Sequence, residues 1–202
     1  MNTRSLYSQF HRQLQTFSSL QLTAIANAVT ERAWPNFALF CEITEFGESA
    51  ELRHCLDMLW DFVAGLQSSK NFERLLERLD EQSPSPDDFD IFGVEPALDF
   101  TVGLHCTINC AMKASVDEAA SALTVSLSTI GKFIKYAEAE DLNGTELSQY
   151  IENHELYQVQ LDFIHELITM ISDQPTPSKA LSKELKIFSA NDCISQLGIS
   201  VD

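Results

Sequence analysis

The sequence predicts an all-α fold, a single-domain bundle of about eight or nine helices. Apolar residues recur at helical spacing nearly throughout. The seven Gly and six Pro fall at the breaks between those stretches, and no stretch alternates long enough to mark a strand. A chain of 202 residues suits one domain. Surface scaling lets roughly 70% of the unfolded surface be buried, enough for a core without disulfides or metals.

Residues from about Thr3 to Phe17 form the first helix. Ser18 or Ser19 caps a second, Leu20 to Ala33, which Trp34-Pro35 ends because the residue before a proline disfavours the α region. Pro35 suits the first turn of a short third helix, with Phe37, Phe40 and Cys41 on one side and a stop near Gly47. In the fourth, Ser49 to Ala64, Leu52, Cys55, Leu56, Leu59 and Val63 share one face. Residues 70–81 make a shorter amphipathic helix, followed by the turn-rich loop SPSPDDFDIFGVEP.

Ala97 to Met112 is apolar almost all round and reads as a buried central helix. Val116, Ala119, Ala120, Leu123, Leu127, Ile130, Ile134 and Ala137 predict a long helix over about 116–141, with Asp117 and Glu118 favourable at its N-terminal dipole. Leu142-Asn143-Gly144 is a turn, and Thr145 opens another long helix to about Ser172. Gln174-Pro175-Thr176-Pro177-Ser178 breaks the chain, and a last helix carries Leu181, Leu185 and Phe188. The division is a helical bundle over 1–174 and a C-terminal helix or arm over 175–202, packed on the same domain, with the prolines as hinge.

Charge narrows the partners. Thirty Asp+Glu against 13 Lys+Arg leave −17, which excludes a basic face for nucleic acid. Nine carboxylates and no Lys or Arg fall between Glu138 and Asp173. Such a face repels nucleic acid and anionic lipid, and suits a protein partner with a basic surface or divalent cations. The longest apolar runs reach about five residues, far short of the roughly twenty that span a bilayer. The first fifteen residues hold no apolar signal segment, and the five scattered cysteines form no Cys-x-x-Cys. A reduced, cytoplasmic protein is expected, a monomer or homodimer.

No phosphate loop, Gly-x-Ser-x-Gly elbow or His-Glu-x-x-His is present. Glu51-Leu-Arg-His54 and Asp162-Phe-Ile-His165 approach the spelling of a bundle di-iron site, but His54 lies opposite the apolar face of its helix. Asp88, Asp90 and Gly93 with Asp99 have the spacing of a calcium loop at positions 1, 3, 6 and 12. Phe92 at position 5 and Pro96 at position 9 break that pattern. No cofactor is expected. Asp88, Asp90 and Asp99 are the candidate ligands should a divalent cation bind.

Glu31-Arg32-Ala-Trp34-Pro35-Asn36-Phe37-Ala-Leu-Phe40-Cys41, Phe46-Gly47 and Asp57-Met-Leu-Trp60 resemble the YjaG-like family of bacterial proteins. The loop Pro86-Asp87-Asp88-Phe89-Asp90-Ile-Phe92-Gly93-Val94-Glu-Pro96-Ala97-Leu-Asp99 is similar to that family's second signature. The resemblance implies a helical protein from a family of unknown function, associated through gene neighbourhoods with histidine-kinase signalling. It carries over no catalytic residue. It directs attention to Glu31, Arg32, Trp34, Asn36, Asp87, Asp88, Asp90 and Asp99 as a ligand or partner site. Arg32 is expected to bridge the loop carboxylates and latch the loop onto the bundle. The function expected is a non-enzymatic interaction protein, a regulatory adaptor with an acidic docking face. The alternative is a metal- or small-ligand-binding bundle using the Asp88/Asp90/Asp99 loop, and an enzyme belongs under that alternative.

Overall fold

One helix, Ser19–Thr44, packs against most of the others, and the order of elements follows from how its sides are covered. The computed structural model describes residues 3–174 and 178–201. Within them run α1 (Thr3–Gln13), α2 (Ser19–Thr44), α3 (Ser49–Val63), α4 (Phe72–Gln82), α5 (Val94–Met112), α6 (Val116–Ala137), α7 (Gly144–Asn153), α8 (Glu155–Ser172) and α9 (Lys179–Ala190). Short 3₁₀ turns lie at Ser69–Asn71, Pro86–Asp88 and Asn191–Cys193. Among the described residues there is no strand, only a single antiparallel bridge between Ile194 and Ser200. The fold is an all-α, single-domain bundle. Pro175 and Pro177, the expected hinge, lie outside the described residues.

The division into helices differs from the sequence expectation at two places, in opposite directions. The second and third expected helices are one: α2 continues through Pro35 to Thr44. Proline removes one backbone donor, so the Glu31 carbonyl has no i+4 partner. Packing outweighs that loss, because α2 is buried on all sides from Gln21 to Phe37 except at Trp34. Conversely, the helix expected over 145–172 is two. His154 sits extended between them (φ −73°, ψ 139°), and its Nδ1 accepts the Leu156 amide at 3.3 Å as the N-cap of α8. A histidine cap carries no familiar sequence signature, and the apolar spacing runs straight across it.

The core has two parts that meet along α2. Leu22, Ile25 and Val29 of its first half pack with Phe10 of α1, Leu14 just after it, Leu123 and Leu127 of α6, and Leu167 and Ile171 of α8. Phe37 and Phe40 of its second half pack with Leu52, Leu56 and Leu59 of α3, Leu75 and Leu79 of α4, and Phe100 and Leu104 of α5. Each such side chain contributes about 1.5–3 kcal/mol relative to exposure. The N-terminal end of α2 is set by a capping box in which Ser18 Oγ accepts the Gln21 amide while Gln21 Oε1 accepts the Ser18 amide. Gln21 Nε2 also donates to the Ile171 carbonyl at 3.1 Å, tying that end to the end of α8.

α2 and α5 approach each other tightly over Gly103. A Cβ placed there would lie 2.9 Å from Thr30 Oγ1. That hydroxyl is held in place, donating to the Ala26 carbonyl at 2.8 Å and lying 3.3 Å from Thr107 Oγ1. Gly103→Ala is therefore expected to destabilise the fold by about 1–2 kcal/mol, overpacking outweighing the gain in helix propensity. In a Thr30→Ala background the same change should become stabilising. A thermal-unfolding double-mutant cycle measures that reversal of sign.

Candidate functional site

Glu31 is 5% exposed on α2 and accepts three hydrogen bonds. Arg53 of α3 forks onto its two oxygens at 2.7 and 2.6 Å, and Trp60 Nε1 donates to Oε2 at 2.9 Å. Arg53 also reaches Asp57 Oδ1 at 2.9 Å, and the same oxygen accepts Lys186 Nζ of α9 at 2.8 Å. The guanidinium carbon of Arg53 lies 5.4 Å from the Trp34 ring. This chain of charge joins α2, α3 and α9. Burial alone would lower the Arg53 pKa, but the hydrogen bonds and charge of Glu31 outweigh it and hold the pKa up. Burial likewise pushes Asp57 up, and the Lys186 hydrogen bond and Arg53 charge reverse that, leaving its carboxyl below the ordinary value. Arg53 and Lys186 were not among the residues expected from sequence. The i,i+4 pair Arg53–Asp57 was the available signal.

Arg32 does not bridge to the acidic loop. Its guanidinium lies 4.2 Å over the Phe163 ring of α8, and Phe163 in turn stacks on Phe188 of α9 at 5.0 Å. Helical spacing explains the departure: Arg32 points about 100° away from Glu31, toward α8 rather than α3. One turn on, Asn36 Nδ2 donates to Oε1 of Gln196 at 3.4 Å. On α8, one turn before Phe163, Gln160 Nε2 donates to Ser126 Oγ at 2.6 Å. A cavity of about 10 Å³, the size of one water, is lined by Gln196, Ser126, Thr129 and Asp99 among others.

The loop after α4 is fastened by rings. Phe89 packs on Phe40 at 4.9 Å and on Phe46 at 5.4 Å, and Phe92 stacks on Tyr136 at 4.3 Å. Asp87, Asp88 and Asp90 are exposed, and Ser85 Oγ, not an aspartate, caps the 3₁₀ turn. Asp99 turns away from them into the α5–α6 seam, where it accepts Lys132 Nζ at 2.8 Å and Thr129 Oγ1 at 2.9 Å. Burial keeps its pKa raised even so. This geometry separates Asp99 from Asp88 and Asp90, its carboxylate being paired with Lys132. Among the described residues no group of three or more His, Cys, Asp and Glu is placed to hold a metal ion. His54 and His165 are exposed rather than turned into the bundle.

Burial pushes the thiols of Cys41 and Cys55 up to about 11 and that of Cys110 up to about 12, and raises Cys106 further. None of these four is a nucleophile at neutral pH. The remaining polar feature is the outer face of α8, where Glu155, Asp162, Glu166 and Asp173 are exposed on one stripe beside the half-exposed Val159. Glu138, Glu140, Asp141 and Glu146 are exposed at the α6–α7 corner.

Residues 9–200 match the family described as "Protein of unknown function (DUF416)". The chain belongs to that family. Two DUF416 relatives carry the description "Uncharacterized protein YjaG". One, from Escherichia coli (strain K12), is 29% identical over 145 residues, 71% of this chain and 74% of the relative. The other, from Salmonella typhimurium, is 26% identical over 196 residues, 96% of this chain and 98% of that one. The crystal structure of a DUF416 family protein from Shewanella baltica OS155 superposes with a TM-score of 0.87 at 28% identity, covering 95% of this chain and 98% of that chain. The family resemblance read from the two signatures is thus shown. In this DUF416 member most of the first signature is core: Glu31, Arg32, Pro35, Asn36 and Phe37 are all buried.

Two outcomes follow from the charge chain. Glu31→Ala leaves the Trp60 N–H without its acceptor and Arg53 with Asp57 alone, and should cost about 3 kcal/mol or more, near 10 °C in Tm by calorimetry. Asp57, with its folded pKa below the unfolded value near 3.9, contributes stability above that pH and loses it as pH falls through the folded pKa. Denaturant titrations between about pH 5 and 2 should therefore show a shallower acid loss in Asp57→Asn than in the native chain.

Proposed function

We propose that this chain is a non-enzymatic interaction protein that docks a partner with a basic surface on the outer face of α8 and the adjoining α6–α7 corner. The observation that carries the reading is the α8 stripe, four exposed carboxylates around Val159 with no cation between Glu138 and Asp173. Among the described residues no lysine of α9 pairs with it, although Lys183 lines a shared groove with Glu166. Lys186 is turned inward to Asp57, and Lys179 and Lys183 are exposed on α9 itself. An apolar residue ringed by like charge gives a docking surface both an anchor and electrostatic steering. The same charge distribution disfavours nucleic acid and anionic membrane as partners. A cytoplasmic location and a regulatory role belong to this proposal, and the histidine-kinase association implied by the family resemblance supplies one class of partner to test.

The test compares retention of cytoplasmic proteins, and of isolated histidine-kinase domains, on the immobilised native chain and on a Glu155→Gln/Asp162→Asn/Glu166→Gln variant. A specific partner should lose about tenfold in affinity to the variant and weaken as salt rises from about 50 to 300 mM. The three changes are on exposed positions, so Tm should stay within about 1 °C. Retention indifferent to both salt and variant overturns the acidic dock.

A further inference from the structure

Arg32 is 8% exposed, yet among the described residues no carboxylate pairs with it, in a chain carrying 30 of them. Its Nε is buried with no hydrogen-bond partner. Asn36, 2% exposed and one turn along the same face, leaves its Oδ1 unpartnered, and Gln196, 5% exposed, leaves its Nε2 unpartnered. Exchanging the amide O and N of both leaves one donor and one acceptor over all the same. Gln160, 1% exposed and one turn from the Phe163 ring, adds an unpartnered Oε1. Buried polar atoms are nearly always paired, and a buried guanidinium without a counter-ion is costlier still. Arg32 and Asn36 share one face of α2, Asn36 reaches Gln196 of the C-terminal segment, and Gln160 lies one turn from the Phe163 ring that Arg32 covers.

The segment that delivers Gln196 is itself strained. Asn191, Asp192 and Cys193 all adopt left-handed backbone, with φ of 47°, 53° and 61°, and none is glycine. Three consecutive left-handed residues reverse the chain after α9 and insert Ser195, Gln196 and Leu197 into the core. The Gln196 carboxamide has the planar shape of a carboxylate and sits against Asn36.

We propose that Arg32 and Asn36, with Gln160 beside them, form a binding site for a small oxyanion of the carboxylate or phosphate class, and that the Gln196 carboxamide stands in for that ligand until it enters. The Phe163 ring occupies one face of the guanidinium and leaves its edge free. That edge presents Nε and a terminal nitrogen as the fork that matches two oxygens of an oxyanion. Lifting the strained turn frees the volume of the Gln196 side chain, which a carboxylate fills. Burial protects the site from the net charge of −17, which would repel an anion from an open surface. This site is separate from the acidic dock, and either reading stands without the other.

Thermal unfolding of the full chain with acetate, succinate and inorganic phosphate, each against sodium chloride at equal ionic strength, tests it and separates the two oxyanion classes. The native chain should show a saturable rise in Tm of about 4 °C at ten times the dissociation constant. Gln196→Ala should respond at lower ligand concentration, and Arg32→Met should not respond. Without ligand, Arg32→Met should melt at or above the native temperature, since it removes a charge that has no counter-ion and keeps an apolar chain on Phe163. Arg32→Lys, which keeps the charge but not the fork, should bind about tenfold more weakly and serves if the methionine variant does not fold. The proposal is overturned if neither the native chain nor Gln196→Ala rises above the chloride control, or if Arg32→Met responds equally.

Discussion

The burial of α2 on nearly every side is the constraint on which the rest of the structure depends. A helix buried all round has no polar face to give to water. Its 26 residues run about 39 Å and serve as the common wall of two cores. The buried polar residues of α2 then turn to their own backbone or to distant parts of the chain for partners, and Asn27 and the Arg32 Nε find none. Thr30 turns to its own backbone and Thr107, Glu31 to Arg53 and Trp60, Asn36 to Gln196. The rotational register of α2 therefore decides which helix receives which charge. One residue separates Glu31, facing α3, from Arg32, facing α8.

That single-residue step is also where the sequence ceased to be a guide. The apolar spacing of α3, α5 and α6 located those helices well, because each buries one side and exposes the other. Pro35 misled because the rule about the preceding residue describes a helix with freedom to end, and α2 has none. His154 misled for the reverse reason: its side chain replaces a backbone partner without disturbing the apolar spacing. Within the candidate site, the family signatures marked Glu31, Arg32 and Asn36 as residues to examine. The pairing of Arg32 with the loop rested on charge alone and ignored direction. Asp87, Asp88 and Asp90 face water, while Phe89 and Phe92 hold the loop, a job the rings perform by area rather than charge.

Other partners had no local signal at all. Lys186 lies 129 positions from Asp57, Gln196 lies 160 from Asn36, and Gln160 lies 34 from Ser126. Such pairs are set by which helices the topology brings together, and a one-dimensional pattern does not contain that. The left-handed turn at Asn191–Cys193 is harder still to read, since only Asn and Asp among its residues tolerate that conformation with any frequency. It matters because it converts the end of the chain from a free tail into a plug for the interior.

The distribution of cations completes the argument. Arg53 and Lys186 are used between α2, α3 and α9, Lys132 between α5 and α6, and Lys135 on the carbonyls that close the α6–α7 turn. Four of the 13 Lys and Arg are thus used at the seams, where lower effective dielectric makes each pair count for more than at an open surface. The carboxylates of α8 are left with no neighbouring cation of their own helix to offset them. The acid excess visible in composition is therefore not spread evenly over the molecule. It is concentrated where packing demanded no cation, and the asymmetry of the surface follows from the needs of the interior.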